Sequence, residues 1–90
     1  MPALEIHITG RVQGVSFRAN TQAQARALEL VGWVKNEADG SVRAWAQGPR
    51  AQLDALVSWC REGPRFASVS AVNVQEAAED PALHVFEIWR

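Results

Sequence analysis

No tyrosine, one cysteine, one lysine and two histidines occur in this 90-residue chain, and that scarcity narrows the chemistry available to it. A lone thiol, Cys60, excludes an internal disulfide and a cysteine metal cluster. No apolar run approaches the roughly 20 residues of a transmembrane helix. The opening Met1-Pro2-Ala3-Leu4-Glu5 has neither the basic segment nor the apolar stretch of a secretory signal. Neither sign of charge is in surplus: nine Lys and Arg stand against ten Asp and Glu, a formal net charge of −1. That balance offers no overall field for holding nucleic acid or an anionic membrane. The expectation is a cytoplasmic chain forming one domain over residues 1–90. A domain of this size buries about 60–65% of its unfolded surface, so its core is small and few residues are free for elaborate chemistry.

The periodicities that are present divide the chain cleanly. Leu4–Thr9 alternates apolar and polar residues, as a half-buried strand does. Arg18–Leu30 is rich in helix formers, with no glycine or proline. Val31–Lys35 reads as a second strand and Ser41–Gln47 as a third. Between them Asn36-Glu37-Ala38-Asp39-Gly40 supplies the turn, its Asp-Gly suited to positive φ. Gly48-Pro49 opens a second helix, with proline expected at its first helical position. Leu53, Leu56, Val57 and Cys60 form one apolar face of that helix, and Gly63-Pro64 stops it. Ser68–Glu76 alternates as a fourth strand (Val69, Ala71/Val72, Val74), Glu76–Pro81 is an acidic connection and Val85–Trp89 a short fifth strand. The order β-α-β-β-α-β plus a terminal strand predicts an α+β fold, a two-layer sandwich with both helices on one face of a mostly antiparallel sheet.

One connection stands apart from the rest. Gly10-Arg11-Val12-Gln13-Gly14-Val15-Ser16-Phe17-Arg18 leaves the first strand, enters the first helix and ends on a guanidinium. A strand–loop–helix junction presents successive N–H donors at a helix N-terminus, where the dipole favours an anion. Arginine there is otherwise misplaced, because the same dipole disfavours a cation. Its planar fork suits phosphate oxygens, so the ligand implied is a phosphate group.

Two segments together carry a family resemblance. The first is I-T-G-R-V-Q-G-V-S-F-R (Ile8–Arg18) and the second is G-W-V-K-N-E-A-D-G-S-V-R-A-W-A-Q-G (Gly32–Gly48). Both resemble the diagnostic segments of the acylphosphatase family, and the likeness continues through Gly63-Pro64 to Phe86-Glu87-Ile88. It implies a ferredoxin-like α/β sandwich that hydrolyses acyl phosphates, acting as a monomer on a small-molecule substrate. No cofactor, metal, nucleic acid or membrane partner is implied. The arginine closing the first segment, here Arg18, binds phosphate with the loop amides of Gly14, Val15, Ser16 and Phe17. The asparagine of the second, here Asn36, positions the attacking water. On spacing alone Asn36 reads as a turn residue; the resemblance reverses that reading. Ser16 occupies a variable position of the loop. Thr21 is read as local support for the first helix.

The remaining candidates have plainer readings. His7 lies on the sheet face opposite Ile6 and Ile8, His84 is solvent-exposed, and Cys60 is a small core residue. Trp33 and Trp45 are expected to pack across the hairpin. Competing functions are a phosphate-binding module without turnover, a single-stranded nucleic-acid binder on the open sheet face, and carbamoyl phosphate handling of the hydrogenase-maturation kind. The second meets the absence of an RNP-type run and of basic charge, and the third the absence of zinc-finger segments.

Overall fold

Along β1 (Ala3–Arg11) the expected alternation is realised: Leu4, Ile6 and Ile8 are buried, while Glu5, His7 and Thr9 turn to the other face, half-buried. The computed structural model describes all 90 residues, and the elements that follow are α1 (Phe17–Ala27), β2 (Val31–Asn36), β3 (Val42–Gln47), α2 (Arg50–Glu62), β4 (Ser68–Ala77) and β5 (Phe86–Trp89). They build a five-stranded sheet in the order β4-β1-β3-β2-β5. Every neighbouring pair is antiparallel except β2–β5, which is parallel. The two helices cover one face. Their Phe17, Ala25, Leu53, Leu56, Val57 and Cys60 close over Leu4, Ile6, Ile8, Val34, Val42 and Ala44 in a single core. This is the ferredoxin-like sandwich expected from the element order. Truncating a fully buried leucine such as Leu56 to alanine in so small a core costs about 2–5 kcal/mol.

The pairing also decides which loops meet. β1 ends, β3 and β4 begin, and β2 and β5 end at the same end of the sheet: Arg11 pairs with Ser68, Asn36 with Val42, and Lys35 with Trp89. The start of α1 and the end of α2 lie there too, since each helix returns antiparallel to the strand before it. A Cβ placed on Gly63, the C-cap of α2, would meet the Phe17 ring at 2.8 Å. The two helix termini are therefore in contact.

Four details differ from the sequence reading. α1 stops at Ala27 rather than Leu30, because Glu29 takes a left-handed conformation (φ 59). Glu29 N–H donates to the carbonyl of Arg26 and Leu30 N–H to that of Ala25, a Schellman ending without its usual glycine. Pro49 is the N-cap of α2, one residue before the first helical position. In β4, Val69 and Val72 both pack against the core although three apart, because the register with β1 shifts between Thr9 and Gly10. Trp33 and Trp45 are cross-strand partners, but the stacked ring pair is Trp33 with Trp89 of β5, centroids 4.6 Å apart and 10° from parallel.

Candidate active site

The loop between β1 and α1 leaves its backbone donors uncommitted. No backbone hydrogen bond made outside the regular elements is donated by residues 13 to 16. The first N–H groups of α1 have no intrahelical acceptor by construction. No side chain caps this helix and no acidic residue stands in its first turn. Two residues shape the loop. Gly14 has φ +75 with open space where a Cβ would point, a conformation that favours glycine. Ser16, the N-cap, has φ 61 and ψ 27, a left-handed position costing a non-glycine residue about 1–2 kcal/mol. Its carbonyl anchors the turn by accepting from the Asn20 backbone N–H (3.1 Å) and side-chain amide (2.8 Å). Thr21 completes the first turn by donating its buried hydroxyl to the Phe17 carbonyl at 2.8 Å.

These donors open onto a cavity of about 370 Å³ lined by Gly14, Ser16, Phe17, Arg18, Val12 and Asn36, with Ala19 and Ile88 at its rim. Arg18 and Asn36 thus share one cavity. Asn36 reaches it because it is the last residue of β2, not a turn residue. Alternation puts Gly32, Val34 and Asn36 on the helix side of the sheet. Its carboxamide makes no hydrogen bond within the protein, nor is it among the buried unsatisfied groups, so both its polar atoms face solvent in the cavity. Arg18 has no carboxylate within 4.0 Å; its side chain makes one hydrogen bond within the protein, a long one from Nη1 to the Trp89 carbonyl at 3.4 Å. Val15 is the exception among the expected phosphate-loop residues. Its side chain packs against the core and does not line the cavity.

A side chain to which the sequence reading gives no role is Gln13. Its Nε2 donates to the carbonyls of Glu37 (2.7 Å) and Ser41 (2.8 Å). The side chain ties the loop carrying Arg18 to the connection that follows Asn36. That connection is braced from below. Ser41 donates both its N–H (3.0 Å) and its hydroxyl (2.6 Å) to Asp39 Oδ1. Those two bonds hold the Asp39 carboxyl below its ordinary range. With its proton so used, Ser41 Oγ accepts from His7 Nε2 at 2.8 Å. His7 is thus structural, on the sheet face opposite the helices. Serine, histidine and aspartate meet here with the serine in the middle, so no base stands ready to activate the hydroxyl.

His84 is exposed, as expected. Cys60 is fully buried and its thiol is pushed up to about 12 by desolvation, which leaves it inert as a nucleophile. No helix is long and apolar enough to cross a membrane.

Comparison with known proteins bears on the family and the fold. The family model described as Acylphosphatase matches residues 4–88. An acylphosphatase of Acaryochloris marina is 47% identical over 87 residues, covering 97% of this chain and 92% of the relative. The crystal structure of an acylphosphatase from Bacillus subtilis superposes with a TM-score of 0.95 at 38% identity, over 100% of both chains. One from Coxiella burnetii gives 0.91 at 38% identity, over 98% of this chain and 92% of its own.

Proposed function

Because the chain belongs to the acylphosphatase family, we propose that it hydrolyses acyl phosphates to a carboxylate and inorganic phosphate in the cavity between the start of α1 and Asn36. The observation that carries the assignment of roles is the meeting of Arg18 and Asn36 across one cavity floored by free backbone donors. The Gly14–Phe17 amides and the Arg18 guanidinium hold the phosphoryl oxygens, whose charge spreads over equatorial positions as the group transfers. The side-chain oxygen of Asn36 accepts a hydrogen bond from a water and fixes its line of attack; an amide cannot take the proton. The water oxygen bonds to phosphorus while the bond to the acyl oxygen breaks, and the carboxylate leaves with the electron pair. The water's proton passes to a phosphoryl oxygen. A carboxylate leaving group needs no general acid, so no histidine, thiol or metal is called on. In this reading the enzyme works as a cytoplasmic monomer without cofactor or nucleic-acid partner.

Benzoyl phosphate turnover, followed with and without chelator, tests the reading. Hydrolysis is expected to be unaffected by chelation. Asn36→Ala is expected to lower kcat by about 10²–10³ while inhibition by inorganic phosphate stays nearly unchanged. Full turnover by Asn36→Ala would remove the water-positioning role. Phosphate binding without any turnover by the unaltered chain would replace the enzyme with a binding module.

A further inference from the structure

Ile88 is out of keeping with its neighbours. Strand pairing sets Phe86 and Ile88 of β5 beside Gly32 and Val34 of β2, on the face that the helices cover. Phe86 and Val34 are buried there, at 1% and 0% exposure, yet Ile88 keeps 38%. The cavity accounts for the difference, because Ile88 is part of its lining. Of the other apolar lining residues, Val12 and Phe17 are already fully buried, whereas Ala19 is exposed. Ile88 and Ala19 therefore supply the apolar surface that a ligand in this cavity can still cover.

The same wall is held in place relative to the phosphate arginine. Arg18, Gln22 and Arg26 are spaced by four along α1 and so lie on one side of it. Each donates to a main-chain carbonyl of β5: Arg18 Nη1 to Trp89 at 3.4 Å, Gln22 Nε2 to Phe86 at 3.0 Å and Arg26 Nη2 to Phe86 at 3.3 Å. The acceptors stand on either side of Ile88 in the strand. The polar lining, Gly14, Ser16, Arg18 and Asn36, is taken up by the phosphoryl group and the water. A small-molecule site commonly divides in this way, with a few polar groups fixing orientation and apolar surface receiving the rest of the ligand. The acyl group is the part of the substrate that remains. We propose that Ile88, with Ala19 beside it, is the specificity-determining surface of the cavity and selects acyl phosphates whose acyl group is apolar and branched or cyclic over those of acetyl size. The proposal rests on the acyl phosphate hydrolysis set out above and names the class of substrate that site prefers.

The test compares 3-methylbutanoyl phosphate with acetyl phosphate, whose carboxylate leaving groups are similar in basicity. The readout is the ratio of their kcat/KM values. Both compounds share the phosphate half, so a general disturbance of the site cancels in the ratio. A fully buried methylene adds about fourfold in affinity, so three added carbons covered on one side are expected to favour the branched compound about tenfold. Ile88→Ala is expected to bring that ratio to about threefold or below. Ile88→Val and Ile88→Thr have the same shape and differ in one methyl exchanged for a hydroxyl. The threonine variant is expected to fall about two- to threefold below the valine variant, which separates apolar contact from space alone. Val85→Ala, an exposed apolar position of the chain outside this cavity, is expected to leave the ratio unchanged. A ratio near one in the unaltered protein, or a ratio that Ile88→Ala and Ile88→Thr do not move, overturns the assignment. Failure to hydrolyse either compound overturns the underlying reaction instead, so the two failures are distinct. The ratio in the unaltered protein needs no variant and stands even if a substitution fails to fold.

Discussion

Each helix begins with an arginine in its first turn, Arg18 in α1 and Arg50 in α2, where the helix dipole disfavours a cation. Neither N-terminus has a side-chain cap or an acidic residue in its first turn. The two then part company. Arg50 is met by Glu76 of β4 in a two-pronged pair, Nη1 to Oε2 at 3.1 Å and Nη2 to Oε1 at 2.8 Å. Arg18 has no such partner, and its side chain's one hydrogen bond within the protein is to a carbonyl at 3.4 Å. The same local misfit is answered inside the molecule at one end and left for a ligand at the other. The preceding residues follow suit. Pro49 leads into α2 with a relaxed φ of −59 and ψ of 144, whereas Ser16 leads into α1 in a left-handed conformation.

If that contrast holds, the two arginines respond oppositely to removal. Arg18→Ala is expected to remove two charge-assisted bonds to phosphate, about 1.5–3 kcal/mol each, and so to lower kcat/KM by about 10²–10⁴. Its thermal midpoint should hold or rise, since the folded protein loses only a misplaced cation. Arg50→Ala should leave kcat/KM untouched. Equal activities for the two variants would mean that α1 is no more a binding site than α2.

Gln13→Ala reaches the same contrast through the loop: its counterpart before α2, Gln47, is tied to the Asp80 backbone by two bonds of 2.9 Å at the end of the sheet away from the cavity. Two hydrogen bonds to carbonyls are lost, at about 0.5–1.5 kcal/mol each. Stability is expected to fall by about 1–3 kcal/mol in a denaturant titration, and kcat/KM by about tenfold as Arg18 and Asn36 lose their common frame. A loss of stability with full activity would reduce Gln13 to a structural strut. Ser16→Gly acts on the strained entry itself. It should relax the left-handed residue and stabilise the fold by about 0.5 kcal/mol, the strain relieved less the backbone entropy of glycine. Turnover should stay within about twofold. A larger fall would show that the Ser16 hydroxyl touches phosphate.

The legible parts of this molecule were those written in local sequence. The alternation of Leu4–Thr9, the apolar face from Leu53 to Cys60 and the Gly63-Pro64 stop need only neighbours to be read, and the structure repeats them. Arg18 stood out for the same reason, as a cation at a helix start. What stayed hidden depends on partners distant in the chain. Gln13 could not be distinguished from any polar loop residue, because its acceptors are main-chain carbonyls 24 and 28 residues away. The end of α1 was missed because Glu29, not glycine, takes the left-handed position. Trp33 was assigned to Trp45 by the hairpin, whereas its ring stacks on a strand whose place in the sheet no local pattern gives.

The smallest effect tests the compensated end. The Arg50 guanidinium, through its hydrogen bond first and its charge second, holds the Glu76 carboxyl below the ordinary value of 4.5. A carboxyl whose folded value is depressed binds protons more readily when unfolded. The stability it adds is therefore complete above the unfolded value and is lost as pH falls through the folded one. Near pH 7 the solvent-exposed pair adds a small stability, so Glu76→Gln should start from a slightly lower thermal midpoint. Between about pH 5 and pH 3 the unaltered protein should lose part of its midpoint that Glu76→Gln does not, so the variant's acid limb is flatter. Midpoints measured across that range decide it: parallel limbs would mean that Arg50 is as unpaired in solution as Arg18, and the contrast between the two helix starts would then rest on the cavity alone.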